Sequence, residues 1–216
     1  VTGLGMEFGL WFEPEMVNPD SELFRTHPDW ILHAEGVEQV PFRSQFVLDL
    51  TRPEVSDYLF DHMHKLLSAH DISYVKWDMN RDVHHPGSRG RPAINQQTRS
   101  LYGLIERLRA AHPDLEIESC SSGGARADYG ILRRTDRIWT SDSNDALDRQ
   151  RIQRGASHFF PLQIMGAHVG PEVCHITGRS LTMNMRIATA LFGHMVMELN
   201  LLEEPSENLE TLKAGI

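Results

Sequence analysis

The stretch PEVSDYLFDHMHKLLSAHDISYVKWDMN, from Pro53 to Asn80, contains the pattern that decides the fold. Pro53 stands where helices often begin, and the apolar residues after it recur at the spacing of one helix face: Val55, Leu59, Met63, Leu66 and Leu67. Ile72–Trp77 is then a short aliphatic and aromatic run, which is typical of a buried strand. The stretch therefore predicts a helix followed by a strand that ends in polar residues.

The same alternation continues along the chain. Further strands are predicted at Phe8–Phe12, Gln45–Leu50, Leu115–Ser119, Arg137–Thr140, Leu162–Met165 and Met195–Leu199. Further helix faces are predicted at Leu101, Leu104, Ile105 and Leu108, and at Leu181, Met185, Ala188 and Leu191, and a last helix at Ser206–Ile216. Because strands that alternate with helical crossovers pair in parallel, the sequence predicts an α/β fold with a parallel sheet.

The number of predicted strands bears on which parallel α/β architecture the chain adopts. Seven strands are one short of the closed eight-stranded barrel, which typically needs about 250 residues. The chain enters almost directly into a strand and stops inside a helix. We therefore expect residues 1–216 to form a single partial catalytic domain, a (β/α)8 TIM barrel without its first strand. A doubly wound sheet is the alternative.

Composition excludes several classes of protein. With 21 Lys and Arg against 30 Asp and Glu, the net charge of −9 disfavours nucleic acid as a partner. No apolar run is long enough for a membrane span, and no signal peptide is visible. Cys120 and Cys174 cannot form a disulfide framework. A cytoplasmic enzyme is the expectation.

The candidate chemistry lies where strands end, because barrel enzymes collect functional residues there. Asp78 follows one predicted strand, and Lys76 lies on the same strand face, where its charge would favour an ionised carboxylate. An ionised, desolvated Asp is suited to act as a nucleophile. A structural ion pair between Lys76 and Asp78 is the other interpretation.

Asp142, in the segment WTSDSND, is a second acid at a strand end. Paired carboxylates in different environments are typical of glycosidic-bond cleavage, in which one attacks and the other protonates the leaving oxygen. Asp145 competes for the second role, but its position at the start of a predicted helix favours helix capping.

Other residues near strand ends suggest a sugar pocket. Cys120 is interpreted as a small residue lining such a pocket rather than as a reactive thiol, and the glycines of ESCSSGG allow close backbone approach. Trp11 is either a stacking surface for a sugar or a core residue. The 12 histidines lack metal-ligand spacing, so we expect neither a metal nor a cofactor.

Six segments in this order carry a family resemblance: FGLWFEPEMV, HPDW, VLDLTRPEV, YVKWDMNR, ESCSSGG and WTSDSNDA. Together, over roughly Gly5 to Leu202, they resemble the α-galactosidases of glycoside hydrolase family 36. Family 31 α-glucosidases have a related W-x-D-M-N-E motif, but Arg81 stands here in place of their Glu.

The resemblance implies a retaining α-galactosidase on a TIM barrel. Such an enzyme would act on terminal α-galactose in sugars such as melibiose and raffinose, by double displacement. Asp78 would be the nucleophile and Asp142 the general acid and base. Positions that contact galactose carry over to Trp11, Arg43, Lys76, Asn80, Cys120 and Gly123. Arg43 precedes its strand, so this role requires the Gly36–Arg43 loop to fold over the barrel mouth.

The resemblance also implies missing parts and alternatives. The family has a first strand ending in an Asp-Asp-Gly-Trp-like segment and flanking β domains, none of which this chain contains. The parent protein is expected to be a homo-oligomer. Alternative functions are galactosyl transfer, as in raffinose or stachyose synthesis, α-N-acetylgalactosaminidase activity, or sugar binding without turnover in the truncated chain.

Overall fold

The computed structural model describes all 216 residues. They divide into two compact units. The first consists of Val1–Ser122 and Arg126–Asp136, and the second of Gly123–Ala125 and Arg137–Ile216. Each unit combines parallel strand pairs with helices, so the predicted α/β class is confirmed.

The first unit contains seven strands and four α-helices. Its strands are β1 (Gly9–Phe12), β2 (Met16–Val17), β3 (Phe46–Val47), β4 (Tyr74–Trp77), β5 (Gly87–Ser88), β6 (Arg91–Pro92) and β7 (Glu116–Ser119). Its helices are α1 (Glu22–Thr26), α2 (Pro53–Ala69), α3 (Ile94–Ala111) and α4 (Tyr129–Leu132), and a 3-10 turn covers Thr2–Leu4.

The parallel strands β1, β4 and β7 organise the first unit. β4 pairs with β1 on one side and β7 on the other, and the register aligns Lys76 with Trp11 and with Glu118. Helices α2 and α3 bury their apolar faces in one core with the sheet, because the apolar residues recur at helical spacing. That core includes Val55, Leu59, Met63, Leu67, Val75, Trp77, Leu101, Leu104, Ile105, Leu108 and Ile117.

The second unit contains three strands and three α-helices. They are β8 (Arg137–Ile138), α5 (Ala146–Ala156), β9 (Gly166–Val169), α6 (Met183–Ala190), β10 (His194–Met197) and α7 (Ser206–Gly215), with a 3-10 turn at Leu162–Ile164. β9 and β10 pair in parallel. Their buried side chains pack with α6 and α7 in a separate core: Ala167, Val169, Met183, Ile187, Ala190 and Leu212.

The predicted parallel strand Gln45–Leu50 is wrong. Only Phe46–Val47 is a strand, and it pairs with Met16–Val17 in the antiparallel direction. The backbone N–H groups that follow have irregular partners: Leu48 donates to the carbonyl of Glu15, and Leu50 donates to the Gln97 side chain (2.9 and 2.8 Å). The apolar run is therefore buried without forming a barrel-type strand.

Two further sequence predictions need correction. Leu162–Met165 is mostly a 3-10 turn, and the strand begins four positions later, at Gly166. The α6 helix exists, but Ala188 and Leu191 of the predicted apolar face are exposed, and the buried face carries Met183 and Ile187 instead. None of the helices in the chain is long and apolar enough to cross a membrane.

Candidate active site

Asp78 stands directly after β4, at the carboxyl end of an inner strand of its sheet. Its backbone N–H donates to the carbonyl of Phe12 at 2.8 Å, so the residue continues the ladder between β1 and β4 by one position. Only 5 % of the residue is exposed. A largely desolvated carboxylate thus lies where parallel α/β enzymes place their functional groups.

Four groups donate hydrogen bonds to the Asp78 carboxylate. Asn80 Nδ2 and Trp11 Nε1 donate to Oδ2 at 2.7 and 3.0 Å, and the Met79 N–H donates to Oδ1 at 2.8 Å. The Cys120 thiol is the fourth donor. Burial raises the pKa of Asp78, but these hydrogen bonds outweigh burial and hold the pKa below its usual value. Asp78 is therefore ionised at neutral pH.

Lys76 was expected to favour the ionised carboxylate, and its effect on Asp78 stays a prediction. Lys76 lies on β4, two residues before Asp78. The causes that lower the pKa of Asp78 are hydrogen bonds from neutral donors. A hydrogen bond to the charged form and a nearby opposite charge both lower the pKa of a carboxyl group, so sequence spacing alone cannot separate the two effects.

Asn80 connects several segments around Asp78. Its Oδ1 accepts from the backbone N–H and the hydroxyl of Ser122, at 3.0 and 3.1 Å, and its own backbone N–H donates to Glu13 at 3.0 Å. With Oδ1 occupied by two donors, the amide can present only its NH2 group to Asp78. Ser122 has a left-handed backbone (φ +47°), so the turn that orients Asn80 is conformationally strained.

The loop that carries Arg43 reaches the carboxyl end of β4. The Arg43 guanidinium makes a long hydrogen bond, 3.5 Å, to the carbonyl of Asn80. Arg81 donates to the carbonyl of Val40 at 3.2 Å, and His85 accepts from the Val40 N–H at 3.2 Å, so two buried side chains fasten the loop. This placement meets the condition that the resemblance set for Arg43, while its contact with sugar stays a prediction.

Sequence reasoning missed two acids after β1, Glu13 and Glu15. Glu15 is 2 % exposed and accepts from Trp77 Nε1 at 2.9 Å and from Arg126 at 2.5 Å. Arg126 also donates to the carbonyl of Cys120 at 3.3 Å. These contacts tie the chain segments after β1 and β7 to each other and to the last residue of β4. The signal was the pair of acids in FEPEM, directly after a predicted strand.

The exposure of Trp11 and of Cys120 removes one interpretation of each residue, while their contacts with sugar stay predictions. Trp11 is 54 % exposed, so it is not a core residue. Its indole N–H is fixed on Asp78. Cys120 is 2 % exposed, which removes it from the class of accessible reactive thiols. Both side chains border the same carboxylate.

Asp142 lies in the second unit, on an exposed turn after β8. Trp139 Nε1 donates to Asp142 Oδ1 at 2.9 Å. Gly123 packs against this turn with φ +86°, and a Cβ at Gly123 would lie 2.9 Å from Ser141 Cα. Only glycine combines that backbone conformation with so close an approach. Gly123 is thus required by the turn itself, and a role in sugar binding stays a prediction.

Asp145 is the helix cap that the sequence predicted. It is fully buried and accepts from the N–H groups of Leu147 and Asp148, at 2.9 and 3.2 Å. Thr177 and Arg179 also donate to it, both at 2.6 Å. Burial raises the pKa of Asp145, but these hydrogen bonds outweigh it and hold the pKa below its usual value. Its oxygens are occupied by structural partners, so Asp142 is the better candidate acid.

The structure therefore brings Trp11, Asn80 and Cys120 onto Asp78, and Gly123 onto the turn of Asp142. The chain contains no group of three or more His, Cys, Asp or Glu side chains that could hold a metal ion.

Comparison with known proteins gives a consistent result. A family model described as Melibiase matches residues 1–216. The chain is 54 % identical over 200 residues to an α-galactosidase of Escherichia coli, an alignment that covers 93 % of this chain and 28 % of that protein. It is 44 % identical over 198 residues to the bifunctional α-galactosidase/sucrose kinase AgaSK of Mediterraneibacter gnavus, covering 91 % of this chain and 21 % of that protein.

Solved structures of similar fold are also α-galactosidases, in agreement with the sequence matches. The galactosidase domain of AgaSK superimposes with a TM-score of 0.94 at 41 % identity, over 99 % of this chain and 30 % of that one. A variant of the α-galactosidase AgaA from Geobacillus stearothermophilus, in complex with stachyose, superimposes with a TM-score of 0.96 at 37 % identity, over 99 % of this chain and 31 % of that one. The chain spans between 21 % and 31 % of the length of these four matched chains.

Proposed function

The chain belongs to the melibiase family, among the α-galactosidases of glycoside hydrolase family 36, and from this we propose that it carries the catalytic residues of an α-galactosidase. The full-length protein would hydrolyse terminal non-reducing α-D-galactose from galacto-oligosaccharides of the melibiose and raffinose class. Similar structures that contain stachyose or raffinose support this substrate class. The incomplete (β/α)8 barrel predicted from the sequence is part of the proposal.

The observation that carries the proposal is the environment of Asp78. Its carboxylate is 5 % exposed yet has a lowered pKa, because several neutral donors surround it. Such a carboxylate stays ionised in spite of its burial, because hydrogen bonds stabilise the charged form. That combination suits a nucleophile that must attack a carbon atom.

In the first proposed step, a carboxylate oxygen of Asp78 attacks C1 of the galactosyl unit. The bond from C1 to the glycosidic oxygen breaks, and the leaving oxygen takes the proton of Asp142. A covalent galactosyl-Asp78 ester and an ionised Asp142 result. Asp78 and Asp142 belong to different units, and their action on one bond is part of the proposal.

In the second proposed step, the ionised Asp142 accepts a proton from a water molecule as that water attacks C1. The ester bond to Asp78 breaks, and the carboxylate leaves ionised, with its hydrogen bonds from Asn80 and Trp11 restored to full strength. Two inversions at C1 give galactose with retained configuration.

The remaining family positions would bind the sugar. Trp11 is exposed enough to stack against an apolar sugar face, and this supports its role as a platform. Arg43 and Lys76 would donate to sugar hydroxyls, with Asn80 and Cys120 beside the nucleophile. No cofactor is required by these steps. A homo-oligomeric parent protein and a cytoplasmic location remain predictions.

Substitution of Asp78 tests the proposal. Asp78→Ala in the full-length protein should lower kcat on a nitrophenyl α-galactoside by more than about a thousandfold, because nucleophile and acid act as a unit. Galactose should still protect the variant against thermal unfolding. Asp61→Ala, a change at an exposed acid of α2, is the control and should leave kcat unchanged. Activity of Asp78→Ala within about tenfold of the parent, or about 1.4 kcal/mol, refutes the assignment.

A further inference from the structure

Two buried side chains, Arg149 and His168, hold the backbone on either side of Asp142, and we propose that both are positioning residues for this carboxyl group. The inference rests on the proposed function, in which Asp142 is the acid and base. Arg149 bonds to the carbonyl of Ser141, and His168 bonds to the carbonyl of Ser143. The two carbonyls immediately before and after Asp142 are therefore both anchored.

The Arg149 guanidinium connects the turn of Asp142 to neighbouring elements of the second unit. It lies on α5, is 1 % exposed, and Nη1 donates to the Ser141 carbonyl at 2.9 Å. Nη2 donates to the carbonyl of Gly166 on β9, and Nε donates to Gln153 Oε1 at 3.1 Å. Each guanidinium nitrogen has its own acceptor, so the planar fork joins the turn to a strand and a helix at fixed angles. A lysine cannot reproduce this geometry.

Arg149 also keeps a positive charge behind the turn. Burial lowers its pKa to about 10, and the carboxylates of Glu198 and Asp142 oppose that effect. A guanidinium with this pKa remains protonated at neutral pH. The charge of the Asp142 carboxylate therefore helps to keep Arg149 protonated, in addition to the hydrogen bond that joins Arg149 to the Ser141 carbonyl.

His168 acts on the turn by two routes. It lies on β9 and is 3 % exposed, and its Nε2 is 3.0 Å from the Ser143 carbonyl and 3.2 Å from Glu198 Oε2. Both neighbours are acceptors, so Nε2 carries a hydrogen. The imidazole also stacks on the Trp139 ring, with centroids 4.6 Å apart and planes inclined by 18°.

Trp139 completes the connection to the carboxyl group. Its ring is held by His168, and its indole N–H donates to Asp142 Oδ1 at 2.9 Å. Because Oδ1 is occupied by this donor, Oδ2 is the oxygen that carries the proton for the leaving group. The exposed turn thus has its backbone fixed on both sides and one carboxyl oxygen fixed in direction. Proton transfer is sensitive to such placement, since errors of about 1 Å cost about a hundredfold in rate.

The test compares substrates that need the proton with substrates that do not. In the full-length protein, Arg149→Lys, His168→Leu and Trp139→Phe are assayed on α-galactosides with sugar leaving groups and with strongly activated aryl leaving groups. We expect kcat/KM to fall by about ten- to a hundredfold on the first class and by less than about threefold on the second. Trp139→Phe removes the indole N–H but keeps an aromatic ring in the core, so this variant is expected to fold.

Two matched variants sharpen the result. His168→Gln places an amide N–H near the position of Nε2 and should recover most of the activity that His168→Leu loses. Arg151→Lys changes an exposed arginine two residues along α5 and should behave like the parent protein. Equal losses on both substrate classes, or no rescue by His168→Gln, would show a purely structural role and overturn the inference.

Asp142→Asn, assayed in parallel, separates this inference from the proposed function. If Asp142→Asn shows no dependence on the leaving group, the role of Asp142 in the proposed function fails, and the inference fails with it. If Asp142→Asn shows the dependence and the Arg149, His168 and Trp139 variants do not, only the positioning role is wrong. If all four variants lose more activity on substrates with poor leaving groups, the result supports both the acid role of Asp142 and the positioning role.

Discussion

Replacing Trp11 by Phe should move the acid limb of the activity profile to higher pH. The change removes one hydrogen bond to the proposed nucleophile while an aromatic ring remains at the site. The lost bond runs from the indole N–H to Asp78 Oδ2, at 3.0 Å, and bonds to a charged group contribute about 1.5–3 kcal/mol. Because Trp11 is 54 % exposed, water replaces part of the lost bond. We therefore expect the lower figure, about 1.5 kcal/mol, which is about one pKa unit.

The sign of the shift follows from which form the bond favours. Hydrogen bonds lower the pKa of Asp78 because they stabilise the ionised form. Removing one raises that pKa, so the nucleophile becomes protonated at a higher pH as the solution is acidified. The acid limb of kcat/KM for a nitrophenyl α-galactoside should move upward by about one pH unit. The measurement is a pH profile of the full-length protein and the variant.

Trp30→Phe provides the matched control, since Trp30 stacks on His27 and its indole is not among the donors that lower the pKa of Asp78. Its acid limb should coincide with that of the parent. An acid limb of Trp11→Phe that does not move, or that moves to lower pH, would refute the view that neutral donors keep Asp78 ionised.

Three further predictions concern the second unit. Asp142→Asn should lower kcat/KM by about a hundredfold to ten-thousandfold on substrates with poor leaving groups and far less on activated aryl galactosides; equal losses contradict the acid role. Gly123→Ala should lower the free energy of unfolding, measured by denaturant titration, by about 1–3 kcal/mol more than Gly178→Ala. Both glycines have positive φ, but only at Gly123 would a Cβ meet backbone within 3 Å, so equal losses would contradict the packing argument. Asp145→Ala should cost about 2 kcal/mol through the lost cap and buried hydrogen bonds. Because the pKa of Asp145 is lowered in the folded state, its contribution is complete above the unfolded-state pKa of about 3.9 and is lost as the pH falls below that value; the variant should lack this part of the acid dependence.

Sequence periodicity was sufficient for the elements that pack one continuous apolar face. α2 and α3 bury the predicted residues, including Val55, Leu59, Leu104 and Leu108. Strands β1, β4 and β7 also lie inside their predicted ranges. In these elements the local pattern and the final packing agree, because each one buries a single face against the same core.

Periodicity failed where packing in three dimensions determines the structure. The strand Gly166–Val169 contains a glycine and a histidine and carries little strand propensity. A Cβ at Gly166 would lie 3.1 Å from both the Ile138 carbonyl and the Trp139 ring, so a small residue is needed there. The apolar run Leu162–Met165 was the stronger local signal, but it forms a turn before the strand.

The two candidate acids follow from the sequence, whereas most of the residues that hold them do not. Asp78 and Asp142 were chosen because each acid stands close after a predicted strand, and their catalytic roles remain predictions. Glu15 and Arg126 were missed because their pairing joins residues 111 positions apart, which no local spacing reveals. The lowered pKa of Asp78 agrees with the ionised carboxylate expected from the sequence, while two of the four hydrogen-bond donors that lower it come from other segments of the chain.

The central claim is that Asp78 becomes covalently bonded to galactose during turnover. The direct measurement uses a fluorinated galactosyl fluoride. A retaining glycosidase transfers the fluorinated sugar of this reagent to its nucleophile and releases it only slowly. The full-length protein is incubated with this reagent, digested, and analysed by mass spectrometry. The account predicts one added sugar, on the peptide that contains Asp78, and no adduct on that peptide in Asp78→Ala. An adduct on a different carboxylate, such as Asp142 or Glu13, or hydrolysis of the reagent with inverted configuration, would contradict it.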